Sequence, residues 1–416
     1  MTFKELQAEV GKYVYSEDDG MACISICSIV GTRLMKFDPI WLILIGASSS
    51  GKSQILRPLA LTDANFIHRV DDLTDNTLLS GARVKQGEKE PSLLKRIGEC
   101  GILVISDFTV IFSKNADSKS TILGQLRMVY DGEMTKFSGT SSEPITWKGS
   151  VGILAGSTPS IYQHFEEVAD MGERFMYYRM KKYDIEKATR LSLDRKLYGK
   201  NLDEKIAKLY EDYIKDVVLS VRDLNLPKID QVVHERILNI AMFGAQLRTP
   251  VHYDKFSKVI DRVPVPEMPM RIALQLKALI YSMMCIAYHD TGEWDLSEEQ
   301  ITYIEWCAYS LANEERRACL RVLAELDFDV YIKTQTVADK IGLNTTVIGV
   351  VLQHLSAIGI LQRSGSEGSL SWTIKEKSVW GIIRRLEGIK DYTTVEERDI
   401  TAEEAQVDKE KALMEF

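Results

Sequence analysis

Five apolar residues, Trp41 to Ile45, run directly into GASSSGKS, and this junction constrains the chain more than any other feature. A continuous apolar run of strand length reads as a buried parallel strand, and the helical pattern from Gln54 to Ala60, closed by Pro58 and turn residues, follows it. Gly46 to Ser53 fits G-x-x-x-x-G-K-[ST], the phosphate-binding loop in its expected strand–loop–helix setting. Gly46 and Gly51 let successive backbone N–H groups turn inward, and the following helix offers its positive end. Lys52 is placed to meet β- and γ-phosphates and Ser53 to ligate Mg²⁺. The expected nucleotide contacts are Gly46, Ala47, Ser48, Ser49, Ser50, Gly51, Lys52, Ser53 and Gln54.

Two more apolar runs end in polar residues of the kind such a site needs. Gly101 to Ile105 leads into Ser106-Asp107, where an acid can face Mg²⁺ or an attacking water. Ser150 to Gly156 leads into Ser157-Thr158, and Thr158 is the better placed to orient water. Beyond them GERFMYYR, Gly172 to Arg179, places arginines about 120 residues past Lys52. Between the second and third runs, Glu133 to Lys148 reads as a hairpin in which Lys136 and Lys148 alternate with Phe137, Ile145 and Trp147.

Composition narrows the class. With 45% hydrophobic and 27% charged residues in 416, the chain is neither disordered nor collagen-like, and its length suits two or three units. Its longest apolar run, Ile40 to Ala47, is far short of the roughly 20 residues that span a bilayer, so no membrane partner is expected. The N-terminus MTFKELQAEVGKY lacks a basic segment followed by an apolar one, which points to the cytoplasm. Six cysteines form no CxxC pair and six histidines no cluster, so a zinc site is not expected. The net charge of −8 argues at first against nucleic acid, yet 9 Asp or Glu against 4 Lys or Arg fall within Ile389 to Phe416. That segment reads as a solvated acidic tail.

Residues 1–37 suggest a lead-in of two helices, Phe3 to Tyr13 and Asp18 to Leu34. From Glu315 a different pattern begins: helices over Glu315–Leu326, Thr336–Ile341 and Thr345–Ile358, then strands over Gly359–Arg363 and Ser369–Ile374 around a Gly/Ser turn. That is the order of a winged helix. Its second helix, TTVIGVVLQHLSAI, has no Lys or Arg, so DNA contact and protein docking are equally open to it.

The order of phosphate loop, acidic strand end, polar strand end and GERF arginine resembles AAA+ ATPases, most closely the minichromosome maintenance helicases and related phage or mobile-element replication ATPases. ISDF, Ile105 to Phe108, looks like that family's I-D-E-F, EMTKFSGTSSEPITWKG like its pre-sensor hairpin, and AGSTP like its sensor strand. LPKID, Leu226 to Asp230, and PMRIALQLKALIYSMMCIAY resemble its lid. The resemblance spans about residues 36–312. It implies an α/β fold with a P-loop AAA+ core over 38–185, a helical lid over 186–312, the winged helix over 313–388 and the tail over 389–416. Carried over residue by residue, Arg174 matches the finger that reaches a neighbouring subunit's ATP, Arg271 the second sensor arginine, and Asp107 and Ser53 the metal side. Lys136, and less so Lys148, match the channel lysines that hold a phosphate of a tracked strand. ATP and Mg²⁺ are the implied cofactors, and a homo-oligomeric ring, a hexamer, is the implied assembly, since a finger acting in trans needs a neighbour.

Two departures qualify this. The family's Asp-Glu pair is here Ser106-Asp107: either Asp107 is the metal-side acid and the base is missing, or it stands in for the glutamate one methylene short while Ser106 replaces the metal acid. Slow hydrolysis is expected either way. Only about 40 residues precede the phosphate loop, too few for the DNA-binding collar of the large helicases. The expected function is an ATP-driven motor on single-stranded DNA in phage or mobile-element replication, in the host cytoplasm, with replication proteins met through the winged helix or tail. A protein remodeller or helicase loader, and a weakly hydrolysing ATP-bound scaffold, are the alternatives.

Overall fold

The computed structural model describes residues 1–34, 38–80, 90–137, 144–164, 174–181, 184–194, 201–252, 254, 260–366 and 369–389. The chain divides into two units, Met1–Glu314 and Glu315–Phe416. The expected acidic tail, from residue 390 onward, lies outside the described residues.

Unit 1 is built on a wholly parallel five-stranded sheet. Its strands are β1 (Trp41–Ile45), β2 (Ile67–Val70), β3 (Cys100–Ile105), β6 (Ser150–Ser157) and β7 (Met176–Arg179), in the spatial order β2-β3-β6-β1-β7. All five residues of β1 are buried, as its unbroken apolar sequence requires of a strand covered on both faces. An antiparallel pair, β4 (Glu133–Lys136) and β5 (Ile145–Lys148), forms the expected hairpin, whose residues 138–143 lie outside the described set.

Helix α1 is Phe3–Gly11 and α2 is Asp19–Leu34. In α2 every residue from Gly20 to Thr32 is buried. A helix apolar all round must be enclosed, and α2 packs against β1, β3 and β6 on one side. On the other it meets α7 (Leu202–Val221) and α9 (Met270–Thr291). The backbones of α2 and α9 come close because Gly31 lacks a Cβ, which would collide with the Ser282 hydroxyl. Cys23 and Cys27 face Met283 Sδ in this interior.

α3 (Lys52–Leu61) runs through Pro58 and ends one residue beyond the Ala60 expected from sequence. Pro58 is buried, and only one backbone hydrogen bond is forfeited by its missing N–H. α4 (Leu93–Ile97) and α5 (Ala116–Tyr130) lead into β3 and β4 respectively. α6 (Ile185–Asp194), α7, α8 (Gln231–Arg248), α9 and α10 (Glu298–Tyr309) make up the helical part of the unit. α9 is long and apolar enough to cross a membrane, but 67% of its most apolar stretch is buried inside the unit, where it packs on α2, α7, α8 and α10.

Unit 2 holds α11 (Glu314–Ala324), which starts at the boundary, then β8 (Ile332–Lys333) and α12 (Thr334–Ile341). α13 (Thr345–Ala357), β9 (Leu361–Ser364), β10 (Ser371–Ile374) and α14 (Lys377–Glu387) follow. The strands form an antiparallel sheet ordered β8-β10-β9. Gly342, at φ 77°, ends α12, and the Asn344 side chain caps α13 through Thr346 N–H.

A candidate phosphate site at the carboxyl edge of the sheet

Gly46 to Gly51 turns from the end of β1 into α3. Gly51 takes φ 97°, a left-handed conformation that favours glycine, and a Cβ on Gly46 would stand 2.6 Å from Ser50 Oγ. Gly46 N–H donates to Ser157 O at 3.2 Å, tying the loop to the tip of β6. Lys52 Nζ folds back into the loop and donates to Gly46 O at 2.7 Å, Ala47 O at 2.8 Å and Ser50 Oγ at 3.3 Å. Partial burial pushes the Lys52 ammonium below its ordinary range, and the charge of Asp107 opposes that. A cation with three donors at the mouth of a glycine-cornered loop on a helix N-terminus is chemically matched to phosphate oxygens, which can replace the loop carbonyls as its acceptors. Ser53, exposed on the first turn of α3, is free of the core and suited to a Mg²⁺ ligand.

The neighbouring strand tips supply the rest. β6 lies between β1 and β3, with Ile45 beside Ser157, so the Ser157-Thr158 pair is interposed between the loop and the acid of β3. Thr158 Oγ1 is 2.6 Å from Ser160 Oγ, and Ser157 Oγ donates to Thr158 O at 3.0 Å. Asp107 is exposed and caps the following 3₁₀ turn, its Oδ1 accepting from Thr109 N at 2.9 Å and Thr109 Oγ1 at 2.5 Å. Ser106 turns to the opposite side and donates to Asp71 Oδ1 at 3.0 Å. Asp71 follows β2 directly; burial pushes its carboxyl up, but hydrogen bonds from Arg69 and Ser106 and the charge of Arg57 together hold it low. Asp71 and Arg57 were missed by sequence reasoning, because β2 (IHRV) carries no pattern that announces a strand.

Arg174 and Arg271 are brought together, but away from this edge. Met176 pairs with Leu42, so Arg174 lies beside the amino end of β1, while Gly46 follows its carboxyl end. At about 3.3 Å per residue the two are roughly 15 to 20 Å apart along the strands, beyond an arginine's reach. Arg174 Nη2 pairs with both carboxylate oxygens of Asp131 at 2.9 Å, and its guanidinium lies 5.4 Å from the Tyr130 ring. Its side chain is only 10% exposed. Gln275 Nε2 donates to Arg174 O at 2.5 Å and to Tyr130 Oη at 3.1 Å. Arg271, one turn before Gln275 on α9, is 3.6 Å from Glu267, which also receives Arg248 at 3.0 Å. Asp131, Tyr130 and Gln275 were not legible as partners, since only the fold brings them to Arg174. Gly172 and Glu173 of the GERF segment lie outside the described residues.

The hairpin lysines differ. Lys136 Nζ donates to Asp75 O at 3.2 Å, Asn76 Oδ1 at 2.7 Å and Leu79 O at 3.2 Å, so its ammonium braces the segment after β2. Sequence ranks Lys136 ahead of Lys148 as a strand contact, and here its ammonium is occupied by acceptors of its own chain. Lys148 is 70% exposed and, among the described residues, is held by Glu133 at 3.2 Å, and Phe137 is 81% exposed. A cavity of about 810 Å³ lies elsewhere in unit 1, lined among others by Phe3, Asp19, Asp290 and Tyr303, and includes none of these residues. Among the described residues no group of His, Cys, Asp and Glu is arranged to hold a metal without further ligands. No protein-family model matches the chain, and no relative was found among curated proteins.

Proposed function

We propose that this chain is the ATP-hydrolysing subunit of a ring-forming AAA+ motor that acts on DNA in phage or mobile-element replication. The observation that carries the reading is the strand order: β6, tipped by Ser157-Thr158, stands between the phosphate loop on β1 and Asp107 on β3. That order sets a polar side chain between the phosphate cradle and the acid, the place from which a water can be aimed at a terminal phosphate. Lys52 and the loop amides bind and orient the phosphates, Asp107 and Thr158 orient water, and bound Mg²⁺, held through Ser53, would neutralise charge on the phosphate oxygens. The remoteness of Arg174 and Arg271 from their own loop supports a role on a second copy's nucleotide, which a closed head-to-tail ring supplies.

Unit 2 is read as a winged helix, with α12, the Gly342 turn and α13 as its helix-turn-helix and β9–β10 as its wing. α13 carries no charged residue and exposes Val347 by 49%, which favours a protein partner over a DNA phosphate surface. One observation favours slow turnover, and with it the scaffold reading: Asp107 is already committed to Thr109 through two hydrogen bonds. Steady-state ATP turnover, measured with and without single-stranded DNA, separates these. Turnover that rises with DNA and is lost in Lys52→Ala supports the motor. Turnover indifferent to DNA supports the remodeller, and none at all the scaffold. Unchanged turnover in Lys52→Ala removes the phosphate-loop assignment altogether.

A further inference from the structure

The second strand tip presents a serine where a P-loop ATPase needs a metal-side acid, and the fold places an acid directly behind that serine. Val70 pairs with Ile105, so the residues that follow them, Asp71 and Ser106, stand side by side at the strand ends. Ser106 Oγ donates its one proton to Asp71 Oδ1 at 3.0 Å, which leaves the hydroxyl oxygen's lone pairs turned away from Asp71. β6 alone separates β3 from β1, so the pair stands on the same carboxyl edge of the sheet as the phosphate loop that follows β1 and the metal-side hydroxyl of Ser53. The other acids nearby are engaged differently. Asp107 caps Thr109, Asp72 pairs with Lys114 at 2.7 Å, and Asp75 accepts from Ser118 Oγ at 3.3 Å.

We propose that Asp71, acting through the Ser106 hydroxyl, is the positioning residue on the metal side of the phosphate loop. Mg²⁺ sheds its waters reluctantly and is commonly held through them. A serine whose proton is fixed on a carboxylate is a hydrogen-bond acceptor for such a water, and the carboxylate supplies the negative charge that serine lacks. Two residues on adjacent strands thus do the work of one aspartate. This leaves Asp107 to the water side and resolves the ambiguity of the Ser-Asp pair.

The inference rests on nucleotide binding at Gly46–Ser53, and its test reads metal separately from nucleotide. A fluorescent ATP analogue is titrated onto the full chain in EDTA and then at rising Mg²⁺. Asp71→Asn and Ser106→Ala should each raise the Mg²⁺ concentration at half-effect by about tenfold or more, the scale of a lost outer-sphere partner. Affinity in EDTA should hold. Ser106→Asp placed in the Asp71→Asn background should restore the midpoint, since it supplies the acid directly, and Arg69→Gln should leave it unmoved. Asp71 is exposed and Asn is isosteric, so melting temperatures are expected to match and serve as the folding check. A midpoint within twofold of the parent in both single variants overturns the proposal, as does an equal shift from Arg69→Gln, which would mark a mere surface ion pair. If the parent fails to bind the analogue, or Lys52→Ala binds it as well as the parent does, the phosphate-loop reading has failed and this one falls with it.

Discussion

At the carboxyl ends of β1, β3 and β6, polar side chains are held by short local contacts: Lys52 by its own loop, Asp107 by Thr109 and Thr158 by Ser160. Beside the amino end of β7, Arg174 is instead fixed by partners from far along the chain, Asp131 and Gln275, in a nearly closed setting. The contacts of Lys52 to its loop oxygens are exchangeable, because an incoming phosphate offers equivalent acceptors. An Arg174 Nη2 shared between both oxygens of a carboxylate, with its guanidinium over an aromatic ring, is not readily exchanged for water and holds its geometry until a comparable anion replaces Asp131. On the proposed reading, one edge is a receptor and the other a preset donor. A single copy cannot bring them together.

The largest test of that contrast is Arg174→Ala. If the arginine edge serves a neighbour's phosphates, nucleotide binding should stay near the parent value while turnover falls by about 10³ or more, the scale of an arginine finger. Mixing Arg174→Ala with Lys52→Ala subunits should restore part of the activity, because a mixed ring contains junctions with both parts intact. A fall in melting temperature with no recovery on mixing would leave Arg174 as the partner of Asp131 and nothing more.

The two edges also differ in how far they could be foreseen. The phosphate loop, β3 and β6 were legible because long apolar runs end in short polar words, and parallel strands buried on both faces have no other way to be written. β2 and β7 were not, since IHRV and MYYR are four-residue strands holding charged residues. With β2 unseen, Asp71 had no place. Helix α2 was legible as a helix, and its burial on every face shows it enclosed by the unit it leads into. The arginine edge is least legible of all, since Asp131 and Arg174 are 43 residues apart and no local pattern joins them.

The hairpin sharpens the comparison further. Lys136 behaves like the arginine edge, braced by three acceptors after β2, and Lys148 like the receptor edge, exposed and lightly held. Lys136→Ala removes the donor to Asn76 Oδ1 and Leu79 O, while Asp75 O keeps Gln125 Nε2, and should destabilise the protein by about 1–3 kcal/mol, with little effect on the salt dependence of single-strand binding. Lys148→Ala should keep the melting temperature and flatten the plot of log affinity against log salt by about 0.7, the loss of one phosphate contact on a single strand. A flattened slope in Lys136→Ala would return the contact to that residue and show that its bracing is given up when DNA binds.

The smallest effect expected is at Asp107, and it decides which carboxylate function the receptor edge retains. With Asp71 and Ser106 on the metal side, Asp107 is left to orient water, and its carboxylate is one methylene shorter than a glutamate would be and turned toward Thr109. Asp107→Glu lengthens the side chain toward the water and loses a capping contact to Thr109, which costs about 1 kcal/mol of stability. Turnover should nevertheless rise by about threefold, because a water aligned within hydrogen-bond reach gains more from proximity than the surface turn loses. The Mg²⁺ midpoint should not move. If Asp107 were itself the metal-side acid, the longer side chain would crowd an ion that demands near-octahedral geometry, and kcat would fall as the Mg²⁺ midpoint rose. Measuring both quantities on one variant therefore separates the two placements: kcat up with the midpoint fixed leaves Asp107 on the water side, and the opposite pair of changes puts it on the metal and Asp71 out of the site.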